Sequence, residues 1–297
     1  MPPNGDVRTA VIPAAGLGTR MLPATKSIPK ELLPLVDRPI VQYGVEEAVR
    51  SGVRRITLVT NPGNTLSASH FASHPALERA LAESGRTEAL AAMRELAAMA
   101  EVTTVHQDAP LGLGHAVLCG RPAVGDAPFA VMLPDDVIDA DPPALRRMID
   151  VFTDVGGPVV LVERVPHSVV HRYGVIAAEP LGGGVHRVTD LVEKPAPDEA
   201  PSDLAIVGRY VLTPDTFAAL EATGTGAGGE IQLTDGLRRL LRQRPVYAWE
   251  LEGTRLDAGT PTGFLGATLH FALKRPDLAA VIEETLGVAR GVVGRRP

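Results

Sequence analysis

Residues 9–34 read TAVIPAAGLGTRMLPATKSIPKELLP, and the fold follows from how this stretch is parsed. Thr9-Ala10-Val11-Ile12-Pro13 is a short apolar run of the kind that forms a buried strand. The stretch after it, Ala14 to Pro34, suits a triphosphate. Ala14, Ala15, Gly16 and Gly18 carry little or no side chain, so backbone N–H groups can come close to an anion. Arg20 and Lys30 supply cationic donors in the same segment. Pro23, Pro29 and Pro34 stiffen it and remove backbone donors. An ordinary Gly/Pro-rich surface loop needs none of this. Two better-known phosphate loops are excluded. The dinucleotide fingerprint wants a third glycine where Met21 stands, and the P-loop wants a Gly-Lys pair that occurs nowhere in the chain.

Working outward, Asp37-Arg38-Pro39 opens a helix whose apolar face is Ile40, Val41, Val45, Ala48 and Val49, and Gly52 ends it. Arg55 to Thr60 is the next strand, which completes a right-handed βαβ unit with a long first loop. Pro75 to Ala100 predicts amphipathic helix broken near Ser84-Gly85. Val102 to His106 is the third strand. A second glycine-rich loop, Gln107 to Gly114, leads into a helix at His115 to Cys119. Phe129 to Leu133 is the fourth strand, with Pro134-Asp135-Asp136 at its carboxyl end. Helix is expected from Pro142 to about Phe152, and a fifth strand over Pro158 to Val165. Strands alternating with helices predict an α/β fold with a Rossmann-like, doubly wound mixed sheet. Ligands of such sheets sit beyond the carboxyl ends of the strands, where the first loop, Gln107 and Asp135 all fall.

The second half changes rhythm. Tyr173 to Ile176, Val185 to Val192 and Leu204 to Leu212 predict strands with little helix between them, and Gly182-Gly183-Gly184 a hairpin turn. This predicts a smaller antiparallel extension. Pro214 to Ala222 predicts a short helix, Thr223 to Gly229 a flexible loop, Glu230 to Arg244 an amphipathic helix, Val246 to Leu251 a strand and Thr260 to Lys274 a helix. The tail from Val281 to Pro297 is expected to fray. No repeat or linker interrupts the chain. It is taken as a single domain over 1–297, with a first half at about 8–165, a second half at about 166–275 and a tail at 276–297.

Composition narrows the function classes. Of 297 residues, 45% are hydrophobic and 22% charged, which is ordinary for a soluble protein with a large core. No apolar run approaches the ~18 residues of a membrane span, and Met1 to Asp6 lacks the basic and apolar regions of a signal peptide. One cysteine, Cys119, excludes an intramolecular disulfide and a cysteine metal cluster. Cytoplasmic location is the default expectation. A net charge of −6, without a basic stripe carrying interleaved aromatics, argues against nucleic acid.

GxGTR followed by a separate PKELLP resembles the nucleotide-sugar pyrophosphorylase (sugar-1-phosphate nucleotidyltransferase) family, whose fold is glycosyltransferase-A-like. The resemblance runs from about Thr9 to Thr268. It implies that Ala14, Ala15, Gly16, Gly18, Thr19, Arg20 and Lys30 wrap a nucleoside triphosphate, with Gln107 and Gly112 in a second nucleotide loop. Pro134-Asp135-Asp136 resembles the family's metal motif, which assigns Asp135 to Mg²⁺, and Asp257 in Arg255-Leu256-Asp257-Ala258-Gly259 would complete that site. Either acid could also simply cap a turn. Val192-Glu193-Lys194-Pro195 resembles the sugar-phosphate motif: Lys194 would pair with the phosphate and Glu193 with sugar hydroxyls. Gly174, in Tyr173-Gly174-Val175, would let backbone approach the sugar.

The chemistry fits these residue types. Two polyanions must be brought together, aligned and neutralised. The attacking phosphate is already ionised, so no base is needed, and His115 is not assigned a catalytic role. LGLGHAVLC at Leu111 to Cys119, LAIVGRYVL at Leu204 to Leu212 and GAGGEIQLTD at Gly226 to Asp235 resemble the bacterial branch that makes UDP-glucose and pyrophosphate from UTP and glucose 1-phosphate. Gly229 departs from that pattern, where an acid is common. The resemblance also implies a homodimer or homotetramer. Uracil and thymine differ by one methyl, worth about 1–3 kcal/mol in a pocket. The choice of UTP over dTTP or CTP, and of glucose, therefore rests on the resemblance. A non-catalytic, nucleotide-sugar-binding relative is the remaining alternative.

Overall fold

Strand β1 (Thr9–Ala14) lies between two parallel neighbours, and the chain builds outward from it. In chain order the sheet adds β2 (Arg55–Thr60), β3 (Glu101–His106), β4 (Phe129–Met132), β5 (Val159–Arg164), β6 (Gly174–Gly182), β7 (Val185–Glu193), β8 (Leu204–Leu212) and β9 (Tyr247–Glu250). The spatial order is β3-β2-β1-β4-β8-β5-β9-β7-β6, one nine-stranded mixed sheet. The computed structural model describes residues 6–226 and 229–293. Met1 to Gly5, Ala227 and Gly228 of the GAGGEIQLTD stretch, and the end of the tail from 294 lie outside the described residues.

The period-2 pattern of the strands shows why both faces are covered. On β1, Val11 packs with Val117, Phe217 and Leu237 on one face. Ala10 and Ile12 pack with Val41, Val45, Leu145 and Phe152 on the other. β4 repeats the division, with Phe129 and Val131 on the first face and Ala130 and Met132 on the second. The helices Leu113–Cys119, Asp215–Glu221 and Leu233–Leu241 therefore lie on one side of the sheet, and Ile40–Arg50 and Ala144–Val155 on the other.

The strand Leu204–Leu212, expected in the antiparallel extension, sits at the centre of the sheet. It runs antiparallel between β4 and β5, with all of its residues buried. Burial on both faces explains its almost unbroken apolar run. The extension is thus continuous with the main sheet: β7 pairs with β9 and with β6, and the Gly182-Gly183-Gly184 turn joins β6 to β7 at positive φ. Arg209 crosses this core and donates to Glu47 Oε2 at 2.8 and 3.1 Å and to the Leu133 and Gly208 carbonyls, so its buried charge is fully met.

Other elements also differ from expectation: Arg38 and Pro39 pair with Pro34 and Leu35 as a short strand, so the helix expected from Asp37 starts at Ile40. The helix expected over Glu230 to Arg244 spans only Leu233–Leu241, because Glu230 and Ile231 are drawn into loop pairing described below. The tail forms a helix, Pro276–Val293, instead of fraying from Val281. A short ribbon went unforeseen: Asp136–Asp139 pairs antiparallel with Thr254–Asp257, with Asp257 opposite Asp136.

Candidate active site

Beyond the end of β1 the chain turns through Thr19–Met21. Gly18 holds φ 62°, and the Thr25 hydroxyl donates to its carbonyl at 2.8 Å. A Cβ there would meet Thr25 and lie 3.3 Å from Lys30 Cβ, so Gly18 shapes the loop from within. Ala15, Gly16, Arg20 and Lys30 face a cleft of about 440 Å³, and Gln107 and Gly112 line its other wall. Ala14, Gly18 and Thr19 do not line that cleft. Ala14 is the buried last residue of β1 and borders a hollow on the loop's other face, while Thr19 begins the turn.

The second glycine loop is fastened to the segment before the helix Leu233–Leu241. Ile231 N–H donates to Leu111 O at 2.7 Å and Gly114 N–H to Ile231 O at 2.8 Å. Gly112 has φ 98°, and a Cβ on it would lie 2.7 Å from Glu230 Cβ and 2.9 Å from Ile231 O. Both glycines are therefore required by loop-to-loop packing. Gln107 Nε2 donates to Gly112 O at 3.1 Å and lies 3.0 Å from His115 Nδ1, so one side of the Gln107 amide pairs within the protein.

The turn that carries Lys30 is anchored by its neighbour. Glu31 is buried, and its Oε1 accepts from Ser67 Oγ at 2.8 Å and Asn64 Nδ2 at 3.3 Å. Its Oε2 and Asn64 Oδ1 are buried without a hydrogen-bond partner. Burial pushes the Glu31 carboxyl up from its ordinary value.

Lys30 Nζ lies 2.6 Å from Asp135 Oδ2. Burial alone would raise Asp135; the adjacent Lys30 more than offsets it, holding the carboxyl below the ordinary range. Ala258 N–H donates to Asp135 O at 2.7 Å and Gly259 N–H to Asp257 Oδ1 at 3.0 Å, bringing the two candidate metal ligands together. A Cβ on Gly259 would lie 2.7 Å from Asp135 Oδ2 and 3.1 Å from Asp257 Oδ1, so the missing side chain leaves a cradle between two carboxylates. Mg²⁺ is commonly held by one or two carboxylates plus substrate phosphates, which this donor set fits. Among the described residues no cluster of three or more His, Cys, Asp or Glu forms a closed metal cage.

Asp136 points elsewhere. Its Oδ2 accepts from Gly208 N–H at 3.0 Å, and Oδ1 meets the Arg255 guanidinium at 2.6 and 2.7 Å. Arg255 also reaches Glu163 at 3.4 Å and lies over the Tyr173 ring at 5.3 Å. Burial alone would lower the Arg255 pKa; the Asp136 charge reverses this and raises it. This clamp ties the strand Thr254–Asp257 to the strand Asp136–Asp139, which follows Asp135 directly.

A second cleft, of about 450 Å³, holds Gly174, Glu193, Lys194 and Asp257. Gly174 and Glu193 face one another across β6 and β7. A Cβ on Gly174 would lie 2.7 Å from Thr234 Oγ1 and 3.2 Å from Glu193 Oε2. Lys194 takes φ 47°, a strained conformation for a non-glycine residue. Its N–H donates to Tyr173 O at 2.9 Å, and its Nζ lies 3.3 Å from Glu193 Oε1. Arg20, Leu113, Leu133 and Asp135 line both clefts, so the two meet at an arginine and a carboxylate. Sequence reasoning missed Arg172 and Arg255. Arg255 is two residues from Asp257 on a strand, hence on the same face, and Arg172 immediately precedes the Tyr173-Gly174 motif.

The chain belongs to the nucleotidyl transferase family, whose pattern matches residues 9–273. Among its relatives, the UTP–glucose-1-phosphate uridylyltransferase YngB of Bacillus subtilis (strain 168) is 48% identical over 92% of both chains. A crystal structure of a UDP-glucose pyrophosphorylase complexed with UDP-glucose superposes with a TM-score of 0.83 at 38% identity, covering 91% of this chain and all of that one. The UTP-bound enzyme of Acinetobacter baumannii gives 0.87 at 38% identity over 95% and 99% of the two chains. Among the described residues, no helix is long and apolar enough to cross a membrane.

Proposed function

We propose that this protein transfers a uridylyl group from UTP to α-D-glucose 1-phosphate, forming UDP-glucose and pyrophosphate. The observation that carries the reading is the pair of clefts meeting at Arg20 and Asp135, one lined by the glycine loops and Lys30, the other by Glu193 and Lys194. An in-line displacement needs two phosphates side by side, and this junction is where they would meet. The UTP and glucose assignments draw on the names of the relatives and solved structures above.

In this reading Arg20 and Lys30 neutralise the triphosphate, and the backbone of Ala15 and Gly16 lets it approach. Lys194 holds the phosphate of the sugar, and Glu193 accepts from sugar hydroxyls. An oxygen of that phosphate attacks the α-phosphorus, and the bond to the pyrophosphate oxygen breaks. Asp135 and Asp257 would hold Mg²⁺, which supplies charge neutralisation on the phosphates when bound. No protein group needs to remove a proton, so His115 is given no catalytic part and stands behind Gln107, which lines the nucleotide wall. Positive charge at the leaving oxygens stabilises the transition state.

The test is pyrophosphate release from glucose 1-phosphate with UTP, dTTP, CTP and ATP in turn, with and without Mg²⁺. Mg²⁺-dependent release with UTP is expected. Preference for dTTP would overturn the base assignment and keep the mechanism. Absence of release with all four would overturn the reaction.

A further inference from the structure

In the sugar-side cleft Lys30 pairs with Asp135 and Arg255 with Asp136, which leaves Glu193 and Asp257 beside Lys194. Asp135, Asp136, Glu193 and Asp257 all line it. Of the cations there, Arg255 is taken up by Asp136 and Glu163, and Arg20 is shared with the nucleotide cleft. Lys194 itself lies 3.3 Å from Glu193. A sugar phosphate brings a further charge of about −1.5 to −2 at neutral pH. One shared ammonium offsets only part of that, and a second side-chain cation beside it would offset more.

Arg172 is such a cation. It is the last residue of the turn His167–Arg172, immediately before Tyr173, whose carbonyl accepts from Lys194 N–H. It lines the same cleft as Lys194 and Glu193. Among the described residues its one ion pair is a loose one, Nη2 to Asp257 Oδ2 at 3.5 Å, and its side chain is about half exposed. The guanidinium lies 5.8 Å from the centre of the Tyr173 ring, a contact that orients it. A guanidinium has five N–H donors in a planar fork that matches phosphate oxygens, so it can face Asp257 and still donate to an anion.

We propose that Arg172 is a second binding residue for the phosphate of the sugar substrate, acting with Lys194. The inference rests on the reaction proposed above. It adds a specificity element: Arg172 recognises a phosphate monoester beside the metal carboxylates, so it acts on the sugar substrate and not on the nucleotide.

The experiment compares wild type, Arg172→Ala and Arg172→Lys in three measurements: KM for glucose 1-phosphate, KM for UTP, and Mn²⁺ binding by electron paramagnetic resonance without substrates. Melting temperatures check that each variant is folded. Loss of a charge-assisted hydrogen bond predicts that Arg172→Ala raises KM for glucose 1-phosphate about 10- to 100-fold. KM for UTP and the Mn²⁺ affinity stay within about threefold, and Arg172→Lys recovers part of the loss because it keeps the charge but not the fork. An unchanged KM for glucose 1-phosphate overturns the proposal. So does a parallel loss of Mn²⁺ affinity and UTP binding, which would mean that Arg172 only steadies Asp257. Wild type that forms no UDP-glucose refutes the reaction itself, whereas active wild type with an unaffected Arg172→Ala refutes Arg172 alone.

Discussion

Replacing Gly259 by alanine puts one methyl group into the cradle between Asp135 and Asp257, the proposed metal site. The backbone tolerates the change, since Gly259 is not among the glycines at positive φ. The cost comes from the neighbours. The new carbon would lie 2.7 Å from Asp135 Oδ2 and 3.1 Å from Asp257 Oδ1, well inside van der Waals contact. Neither carboxylate retreats easily. Asp135 is held by Lys30 at 2.6 Å, and Asp257 by the N–H of Gly259 itself at 3.0 Å. Relieving an overpacked site of this kind costs about 1–3 kcal/mol of stability, which a melting curve would register as a modest shift. The functional effect is expected to be larger. Mg²⁺ needs oxygens at about 2.0–2.1 Å in near-octahedral geometry, and displaced carboxylates cannot provide it. Loss of one transition-state stabiliser typically costs ~10²–10³ in rate. The assay is pyrophosphate release at saturating Mg²⁺, alongside Mn²⁺ titration of the folded variant. If Gly259→Ala keeps kcat/KM and Mn²⁺ affinity within threefold of wild type, the cradle is not the metal site.

Three further outcomes are expected. Lys194→Ala mainly raises KM for glucose 1-phosphate, with UTP less affected; steady-state kinetics within twofold of wild type for both substrates would remove Lys194 from the site. Asp135→Asn abolishes most metal-dependent activity, by about 10²–10³, and retention of Mg²⁺-dependent turnover would contradict it. Glu31→Gln stabilises the protein increasingly as pH rises. Burial raises the folded carboxyl pKa above its unfolded value, so wild type carries no penalty below the unfolded value. The penalty grows as pH rises past it and is complete above the folded pKa. A difference in melting temperature between Glu31→Gln and wild type that stays flat from pH 4 to pH 8 would show that Glu31 ionises freely in the fold.

Much of the alternation of strands and helices was legible because both faces of the sheet are covered, which makes β1, β2, β4 and β5 short apolar runs with clear helical patterns between them. The placement of β8 was not legible. A strand buried on both faces reads the same at the centre of a sheet as at its edge, and nothing local shows that Leu204–Leu212 inserts between β4 and β5. The ribbon of Asp136–Asp139 and Thr254–Asp257 was too short for its alternation to register. At the site, charge and glycine spacing pointed to Arg20 and Lys30, a strand-end position and a motif resemblance to Asp135, and the motif resemblance alone to Lys194. The roles of Gly18 and Gly112 were harder to see. Both were expected to admit the nucleotide, and both meet neighbouring protein: Gly18 faces Thr25 and Lys30, Gly112 faces Glu230 and Ile231. A missing Cβ is equally visible in sequence whichever neighbour needs the space. Arg172 and Arg255 were overlooked because a lone arginine on a turn or strand end is ordinarily solvated.

The central position of β8 has a consequence for how such a catalyst can adapt. Ladder pairing runs without a break from the strands beneath the nucleotide loops to the hairpin that carries Glu193. The spacing between the two clefts is therefore built into strand register and is not set by hinge rotation. Substrate range can drift through the loops at the rim, one side chain at a time. In the proposed reaction, the distance between the two phosphates is inherited with the sheet.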